Sequence, residues 1–366
     1  MKQFRDKAGI IQRVMPRYRV PFFDLLAAQC GNGLTVFAGK PRKNESISQA
    51  ESLQSANWVH AKNVHLFSGQ FYLCLQLGLM EWLEDQDPDT LIVEANPRYL
   101  STPRAIRWMH ERGRPVIGWG LGAPVPQSAL TDARLRGRQR FLEQFDGMIS
   151  YSEQGAKEYR ALGFAANRVF VAPNAMNVRP ISAPQRADEF DGEPILLYVG
   201  RLQARKRLEN LMRVCATLPN DVKPRLQIVG DGPEKSRLEQ TAKEIYPDTE
   251  FTGALFGEHL AERFKKADLF VLPGTGGLAA QQAMSYALPV VMANDYGSQP
   301  DLVTPVNGWL LPPNDDVALQ KALGEALNEP GRLRRMGEES FRLVQEKFNL
   351  ENMVDVFVHA LGEVQH

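Results

Sequence analysis

Short apolar runs alternate with longer helical patterns along nearly the whole chain, and this alternation restricts the fold more than any other feature. Strands that alternate with helices indicate βαβ units and a parallel sheet covered on both faces. In the first half the predicted strands are Ala8–Val14, Leu34–Ala38, Thr90–Glu94, Pro115–Gly118, Met148–Tyr151 and Arg168–Ala172. The predicted helices there are Pro21–Cys30, Phe71–Glu84, Pro103–Arg112 and Gln154–Leu162.

A stretch between Pro173 and Pro194, rich in proline and acidic residues, interrupts the pattern once and is typical of a linker. A second alternating series follows. Its predicted strands are Ile195–Val199, Arg225–Val229, Glu250–Thr252, Leu269–Leu272 and Pro289–Ala293; its predicted helices are Leu208–Thr217, Pro233–Ile245, Glu258–Lys265, Leu278–Tyr286, Val317–Leu327, Pro330–Lys347 and Leu350–Gly362. We therefore expect two doubly wound α/β domains, residues 1–185 and 186–347, facing a central cleft. Residues 348–366 are predicted to form a C-terminal helix that packs back towards the first domain.

Charge is distributed unevenly between the two halves. The 366 residues carry 43 Lys+Arg and 43 Asp+Glu, but residues 1–190 hold 24 basic and 18 acidic residues. The halves thus have formal charges of +6 and −6, which indicates different ligands for the two domains. The ordinary globular composition excludes a disordered chain and a disulfide-rich miniprotein.

Several absences indicate a cytoplasmic protein. Cys30, Cys74 and Cys215 lie far apart and in no metal-ligand spacing, which is typical of a reducing compartment. The first residues lack the apolar core of a secretory signal, and no run reaches the roughly 18 apolar residues of a membrane span.

Three glycine turns after predicted strands carry the candidate chemistry, because ligands of such sheets lie beyond the carboxyl ends of the strands. In the first, Gly200 is followed by Arg201 and Lys206, two cations that can converge on a diphosphate or simply form a solvated basic helix start. The second turn contains Gly230 and, taken alone, is a weak nucleotide signal. The third, Gly274 to Gly277, opens a helix at Leu278, an arrangement that cradles phosphate in many proteins. The alternative is that these glycines only form a turn and that Gln282, on the helix, is a surface residue.

Together with several further segments, these turns resemble the retaining glycosyltransferases of family 4, which have the GT-B fold of two Rossmann-like domains. The further segments are Ile149–Ala156, Val171–Ala175, Phe251–Gly253, Ala267–Pro273 and Asn307–Pro313. The resemblance implies that Arg201 and Lys206 bind the donor diphosphate and that Gln282 holds the donor ribose; these three are the candidate catalytic residues. It further implies that the donor is bound at Gly200, Gly230, Gly253, Ala254, Leu255, Gly276, Gly277 and Leu278.

The chain departs from this family at its two-glutamate motif. The carboxylates of the family are eight residues apart, and this chain has Gly274 and Gln282 at those positions. Gln282 keeps a carbonyl oxygen that can accept a hydrogen bond from ribose, whereas Gly274 offers no side chain to the transferred sugar. A noncatalytic GT-B subunit that binds nucleotide or glycan is therefore an open alternative to an active enzyme. An NAD-dependent oxidoreductase is rejected because the full glycine fingerprint is missing.

Without an Asp-x-Asp motif at a strand end, the predicted transfer is metal-independent and needs no cofactor, with a UDP- or GDP-sugar as donor substrate. Fixed cations and helix amides would then stabilise the leaving diphosphate. The predicted acceptor, a glycan or a lipid-linked molecule and not a nucleic acid, would contact the basic half. Its candidate residues follow predicted strands: Arg17, Tyr18, Arg19, Asn96 and Trp119. For Tyr18 and Trp119, partial burial in the core is an equal alternative to acceptor contact.

Four arginines before Phe141 form a basic cluster with two interpretations. Arg134, Arg136, Arg138 and Arg140 are either one face of a solvated helix or a patch for peripheral contact with the inner membrane face. Because each basic residue contributes only about 1 kcal/mol at an anionic leaflet, four of them give reversible attachment.

Overall fold

The structure, a computed structural model, describes residues 3–42, 45, 47–123, 131–295 and 297–365. The chain divides into two compact units, residues 1–176 with 350–366, and residues 177–349. The sequence predicted the first boundary nine residues later, at 185/186. Residues 177–185 lie with the second unit because the linker is attached there: Arg186 donates hydrogen bonds to the carbonyl oxygens of Phe264 and Tyr286, and Gln345 donates to that of Pro180.

The first unit is built on an eight-stranded sheet. Its strands are β1 (Ala8–Val14), β2 (Leu34–Gly39), β3 (Asn57–Leu66), β4 (Leu73–Leu77), β5 (Thr90–Glu94), β6 (Val116–Gly120), β7 (Gly147–Ser150) and β8 (Val169–Val171). The strand order is β4-β3-β2-β1-β5-β6-β7-β8, and every pair is parallel except β3 with β4. Its helices are α1 (Val20–Ala27), α2 (Leu79–Gln86), α3 (Thr102–His110), α4 (Thr131–Leu142) and α5 (Glu153–Ala161). The predicted α/β architecture with a mainly parallel sheet is confirmed for this unit.

The antiparallel pair of β3 and β4 corrects the sequence prediction. No strand was predicted at Asn57–Leu66, and Phe71–Glu84 was predicted as one helix. The structure instead has a hairpin strand that ends at Leu77, a left-handed Gly78 and only then the helix α2. The inward Cys74 and Gln76 alternate with less buried neighbours, a period of two that the helical interpretation overlooked.

The C-terminal helix belongs to the first unit. This helix, Leu350–Glu363, is called α13 here because α6–α12 lie in the second unit. It packs beside α1 on one face of the sheet, where Phe357 makes edge contacts with Phe22 and Trp119 at centroid distances of 4.8 and 4.9 Å. Helices α2, α3 and α5 cover the opposite face with a second buried cluster. The sheet is thus buried on both faces, as its continuous apolar strands predict.

The second unit contains a six-stranded parallel sheet. Its strands are β9 (Ile195–Val199), β10 (Arg225–Val229), β11 (Thr249–Gly253), β12 (Leu269–Leu272), β13 (Val290–Ala293) and β14 (Gly308–Leu311), in the order β11-β10-β9-β12-β13-β14. Its helices are α6 (Leu208–Ala216), α7 (Lys235–Ile245), α8 (Gly257–Lys266), α9 (Leu278–Ser285), α10 (Gln299–Leu302), α11 (Asp316–Asn328) and α12 (Pro330–Glu346). The sequence prediction missed β14 and α10, but the doubly wound architecture is confirmed.

Each sheet has one point at which the strand order reverses direction. In the second unit β9 pairs with both β10 and β12, and in the first unit β1 pairs with both β2 and β5. The connections leave such neighbouring strands towards opposite faces, so a crevice opens at their carboxyl ends. No helix in the described parts of the chain is both long and apolar enough to span a bilayer.

Candidate functional site

The crevice of the second unit is bounded by the segments that follow β9 and β12. Gly200 and Gly230 end neighbouring strands, with φ angles of +157° and +147°. A Cβ at Gly230 would lie 1.9 Å from the carbonyl oxygen of Gly200, so only glycine permits this approach. The Gly230 amide in turn donates to the carbonyl oxygen of Gly253 at 2.8 Å. Three predicted donor-binding glycines are therefore brought together at one edge of the sheet.

Lys206 lies in a short turn after β9 and is only 9% exposed. Its Nζ donates a hydrogen bond to the carbonyl oxygen of Thr275 in the glycine-rich loop after β12. Burial, together with the smaller effect of the neighbouring Arg205, lowers the pKa of the Lys206 ammonium to about 8, although the Asp295 carboxylate acts in the opposite direction. A buried ammonium with a lowered pKa lacks full compensation for its charge, which an anionic ligand would supply.

A second set of contacts ties the glycine-rich loop to the Arg205–Lys206 segment. Arg205 donates from Nη1 to the Thr275 Oγ1 at 2.6 Å, and the Thr275 amide donates back to the Arg205 carbonyl at 3.3 Å. Gln299, at the start of α10, donates from Nε2 to the Gly276 carbonyl at 2.6 Å. Arg205, Thr275 and Gln299 were not among the predicted site residues, although the basic run at 205–207 is a sequence signal for Arg205.

Gly274 has a steric reason to be glycine. A Cβ at this position would lie 2.2 Å from the Arg205 carbonyl oxygen and 2.8 Å from the Lys206 Cα. The resemblance expects a glutamate here, and the backbone at 205–206 occupies the space that its side chain would need. The close contact between the glycine-rich loop and the backbone at 205–206 therefore leaves no room for a glutamate side chain at position 274.

Helix α9 starts in the same crevice. Gly276 has a φ of +144°, and a Cβ on it would lie 3.0 Å from the Lys206 Nζ, which places that ammonium beside the loop. Gly277 is the N-cap residue and Leu278 the first residue of α9. The first amides of a helix have no intrahelical acceptor and attract anions.

Arg201 contributes an unsatisfied donor to the segment after β9. Its Nε is buried and has no hydrogen-bond partner among the described residues, while its carbonyl oxygen accepts from the Tyr198 hydroxyl at 3.1 Å. Buried donors nearly always have a partner, so this one requires an acceptor from a ligand or water.

Gln282 and the predicted nucleobase segment lie beside two other pockets. Gln282 is half-buried on α9 and lines a pocket of about 410 Å³ with Lys265, Ser285 and residues 177–184. Leu255 lines a pocket of about 290 Å³ along α8, and Ala254 precedes it after β11. These residues do not line the same pocket, and their predicted contacts with ribose and base stay predictions.

Two of the predicted acceptor residues, Arg19 and Trp119, are buried, at 3% and 1% exposure. Burial contradicts the predicted acceptor contact of Arg19, and for Trp119 it agrees with the alternative of a core position. The Arg19 guanidinium lies 4.7 Å from the Trp119 ring centroid and donates to the Tyr151 hydroxyl at 3.1 Å. Arg19 is thus a core cation among aromatic rings, because its short helical turn directs the side chain inward.

The other predicted acceptor residues remain accessible or partly so. Arg17 and Tyr18 are exposed at the turn after β1. Asn96, after β5, is half-buried, and its Oδ1 accepts from the Arg98 amide at 3.1 Å, which fixes the local turn. The side chain of Arg134 lies outside the described residues, whereas Arg138 and Arg140 are part of α4.

A polar cluster at the crevice of the first unit was not among the predicted site residues. The Arg13 amide donates to the Glu94 Oε2 at 2.7 Å, and its guanidinium pairs with Glu45 at 2.8 Å. Burial raises the pKa of the Glu94 carboxyl. The His65 Nδ1 and the Tyr72 hydroxyl are hydrogen-bonded at 2.9 Å. Burial lowers the pKa of the His65 imidazole. Arg13 and Glu94 lie at the carboxyl ends of predicted strands, but Glu45, His65 and Tyr72 carry no local sequence signal.

Comparisons with known proteins bear on the second unit above all. Residues 182–342 match the family model described as glycosyl transferases group 1. The chain is 39% identical over 145 residues to a GDP-mannose-dependent alpha-mannosyltransferase of Mycobacterium tuberculosis, covering 39% of this chain and 35% of that protein. It is 35% identical over 155 residues to the sulfoquinovosyl transferase SQD2 of Arabidopsis thaliana, covering 40% and 29%. The chain thus spans about a third of the length of these curated relatives.

Similarity to solved structures extends over the whole chain. The Anabaena HepE structure in complex with UDP has a TM-score of 0.71 at 14% identity, covering 99% of this chain and all of that one. At this identity the likeness establishes the fold alone, and that fold is the two-domain GT-B architecture that the resemblance predicted.

Proposed function

We propose that this chain, whose residues 182–342 match the model of the glycosyl transferases group 1 family, is a retaining glycosyltransferase that uses a nucleoside diphosphate sugar. The observation that carries the proposal is the buried Lys206 ammonium at the glycine-rich loop that opens α9. The unsatisfied Arg201 Nε in the same segment supports it. Two cations and a helix N-terminus form a set of donors suited to a diphosphate.

The proposed chemistry breaks the bond between the anomeric carbon and the diphosphate oxygen. Both bonding electrons leave with the diphosphate. The acceptor hydroxyl forms the new bond on the same face of the sugar and passes its proton to the leaving diphosphate oxygen. Negative charge therefore grows on the leaving group in the transition state. Arg201, Lys206 and the amides at Gly277 and Leu278 would stabilise that charge directly, so the proposed reaction is metal-independent.

The proposed donor is a UDP- or GDP-sugar. One relative is named for GDP-mannose, and the Anabaena HepE structure contains UDP. Gly253 to Leu255 are the proposed base contacts and Gln282 the proposed ribose contact. Because Gly274 has no room for a side chain, backbone groups of the loop would face the transferred sugar in place of a carboxylate.

The acceptor is proposed to be a glycan or a lipid-linked molecule held by the first unit. The exposed Arg17 and Tyr18 follow β1, and the polar pair of Arg13 and Glu94 lies at the carboxyl ends of β1 and β5, the two strands at the reversal point of that sheet. We further propose that the protein acts in the cytoplasm, which its three buried free cysteines support.

A donor panel assay with a matched pair of arginine variants tests the function. Release of nucleoside diphosphate would be measured with UDP- and GDP-sugars and a pool of oligosaccharide and lipid acceptors. We expect turnover with one donor and a fall of about 10²–10³-fold in Arg201→Ala, because one stabilising donor is lost. Arg213→Ala, exposed on α6, should retain the rate. Nucleotide binding without transfer to any acceptor would instead favour a noncatalytic binding subunit.

A further inference from the structure

The β3–β4 hairpin ends in an exposed apolar tip that the proposed sugar transfer does not use. The tip connects Leu66 to Leu73, and its Phe67 and Phe71 are 73% and 70% exposed. Together with Tyr72 and Arg98 they line the largest of the described pockets, about 720 Å³. Two phenylalanines at this degree of exposure on one turn are an unusual concentration of apolar surface.

The backbone conformation of Phe67 shows that a phenylalanine at this position does not stabilise the fold. Its φ of +57° lies in the left-handed region, which disfavours bulky side chains and which glycine or asparagine would occupy at less cost. Because the ring is also exposed, it gains little burial energy in return. A strained and solvated aromatic residue indicates a contact outside the chain.

The charged residues around the tip indicate what kind of surface it contacts. Residues 52–80, which include the whole hairpin, contain no Asp or Glu, and neither do residues 95–110. The segment from Arg98 to Ser101 runs along β4, where the Cys74 amide donates a hydrogen bond to the Arg98 carbonyl oxygen at 2.9 Å. On the neighbouring side Arg42 lies 4.5 Å above the Tyr72 ring, paired with Glu45. The tip is therefore apolar, with Arg98 as an exposed cation at its border, whereas the charge of Arg42 is compensated by Glu45.

We propose that this hairpin tip docks the chain on an anionic lipid bilayer, with Phe67 and Phe71 among the headgroups and Arg98 beside lipid phosphate. Aromatic side chains with neighbouring cations are favourable at the membrane interface. Stable protein interfaces use about 20 residues on each side, far more than this tip offers, whereas a bilayer accepts a few isolated rings. The docking does not depend on which sugar is transferred, or on whether one is.

Vesicle co-sedimentation of the full chain tests the proposal. Wild type should bind vesicles that contain phosphatidylglycerol, bind pure phosphatidylcholine vesicles much more weakly, and dissociate as salt screens the cations. The partition coefficient of Phe67→Ser/Phe71→Ser should fall about tenfold or more, because two rings lose apolar burial. The control Val306→Ser/Val317→Ser removes two exposed apolar side chains of the second unit and should bind as wild type does.

A basic-cluster variant separates this site from the other membrane candidate. Arg136→Glu/Arg140→Glu on α4 should keep most of the binding, and Arg98→Gln should lose a clear part of it. The proposal is overturned if wild type ignores anionic vesicles, if the double phenylalanine variant binds like wild type, or if only the α4 variant loses binding. Thermal unfolding of each variant, measured alongside, should match wild type because all these side chains are exposed.

Discussion

The Lys206 ammonium donates a hydrogen bond to the main-chain carbonyl oxygen of Thr275, which joins the turn after β9 to the glycine-rich loop after β12. A lysine buried against a carbonyl oxygen has a charge that the protein only partly compensates. A diphosphate that enters this crevice would offer a stronger partner than the carbonyl. This relationship explains why the segment after β9 is suited to anion binding.

The lowered pKa of Lys206 predicts a pH dependence of nucleotide binding. The ammonium, with a pKa of about 8, is charged below that pH and becomes neutral above it. A bound diphosphate favours the charged form and raises the pKa, so binding above pH 8 takes up a proton. The affinity for UDP or GDP should therefore weaken by up to about tenfold per pH unit above about 8.

Calorimetric titrations between about pH 7 and about pH 9 would measure this slope. Lys206→Arg is the matched control, because a guanidinium stays protonated throughout the range. Its affinity should change little with pH. An equal slope in Lys206→Arg and wild type would assign the titration to another group.

Gly274→Ala tests the steric account of the glycine-rich loop. The new Cβ would meet the Arg205 carbonyl oxygen at 2.2 Å, so one of the two loops must move. We expect a loss of about 1–3 kcal/mol in the free energy of unfolding, as for other overpacked sites. Gly324→Ala in α11 is the control, since nothing lies within 4 Å of its Cβ position and alanine favours a helix.

Denaturant unfolding of both variants provides the comparison. Gly324→Ala should be as stable as wild type or more so. Unchanged stability of Gly274→Ala would mean that the contact with the Arg205–Lys206 backbone does not constrain position 274.

Arg19 and Arg17 form a matched pair for the first unit. Arg19→Ala removes a buried cation, its hydrogen bond to Tyr151 and its stacking on Trp119. The expected destabilisation is about 3 kcal/mol, whereas Arg17→Ala at the exposed position should stay within about 0.5 kcal/mol. Thermal unfolding measures both. If Arg19→Ala kept full stability, its assignment to the core would be wrong.

The sequence predicted best those elements whose signal is local. The strands β1, β5, β9, β10 and β12 have the predicted bounds, because short apolar runs between turn residues identify buried parallel strands. The strand β3 was missed because most of its residues are partly exposed and its apolar alternation is weak. Its partner β4 continues into α2 with only Gly78 between them, so the two patterns merge in the sequence.

The same limit holds for the candidate site: its local features were predictable from the sequence, and its contacts between distant residues were not. Strand ends and glycine turns located Arg201 and Lys206, since these positions follow from topology. The direction of the Arg19 side chain did not follow, because its partners Trp119, Tyr151 and Met353 are distant in sequence. The contact of Arg205 with Thr275 and the steric exclusion at Gly274 likewise depend on two loops meeting in the folded unit.

Isothermal titration of UDP and GDP into wild type and Lys206→Met tests the central claim most directly, namely that the crevice after β9 and β12 binds a nucleoside diphosphate. Lys321→Met, an exposed lysine of α11, serves as the control. We predict that wild type and Lys321→Met bind one of the two nucleotides with equal Kd, and that Lys206→Met binds it about 10- to 100-fold more weakly. Absence of binding by wild type, or equal binding by Lys206→Met, would contradict the claim.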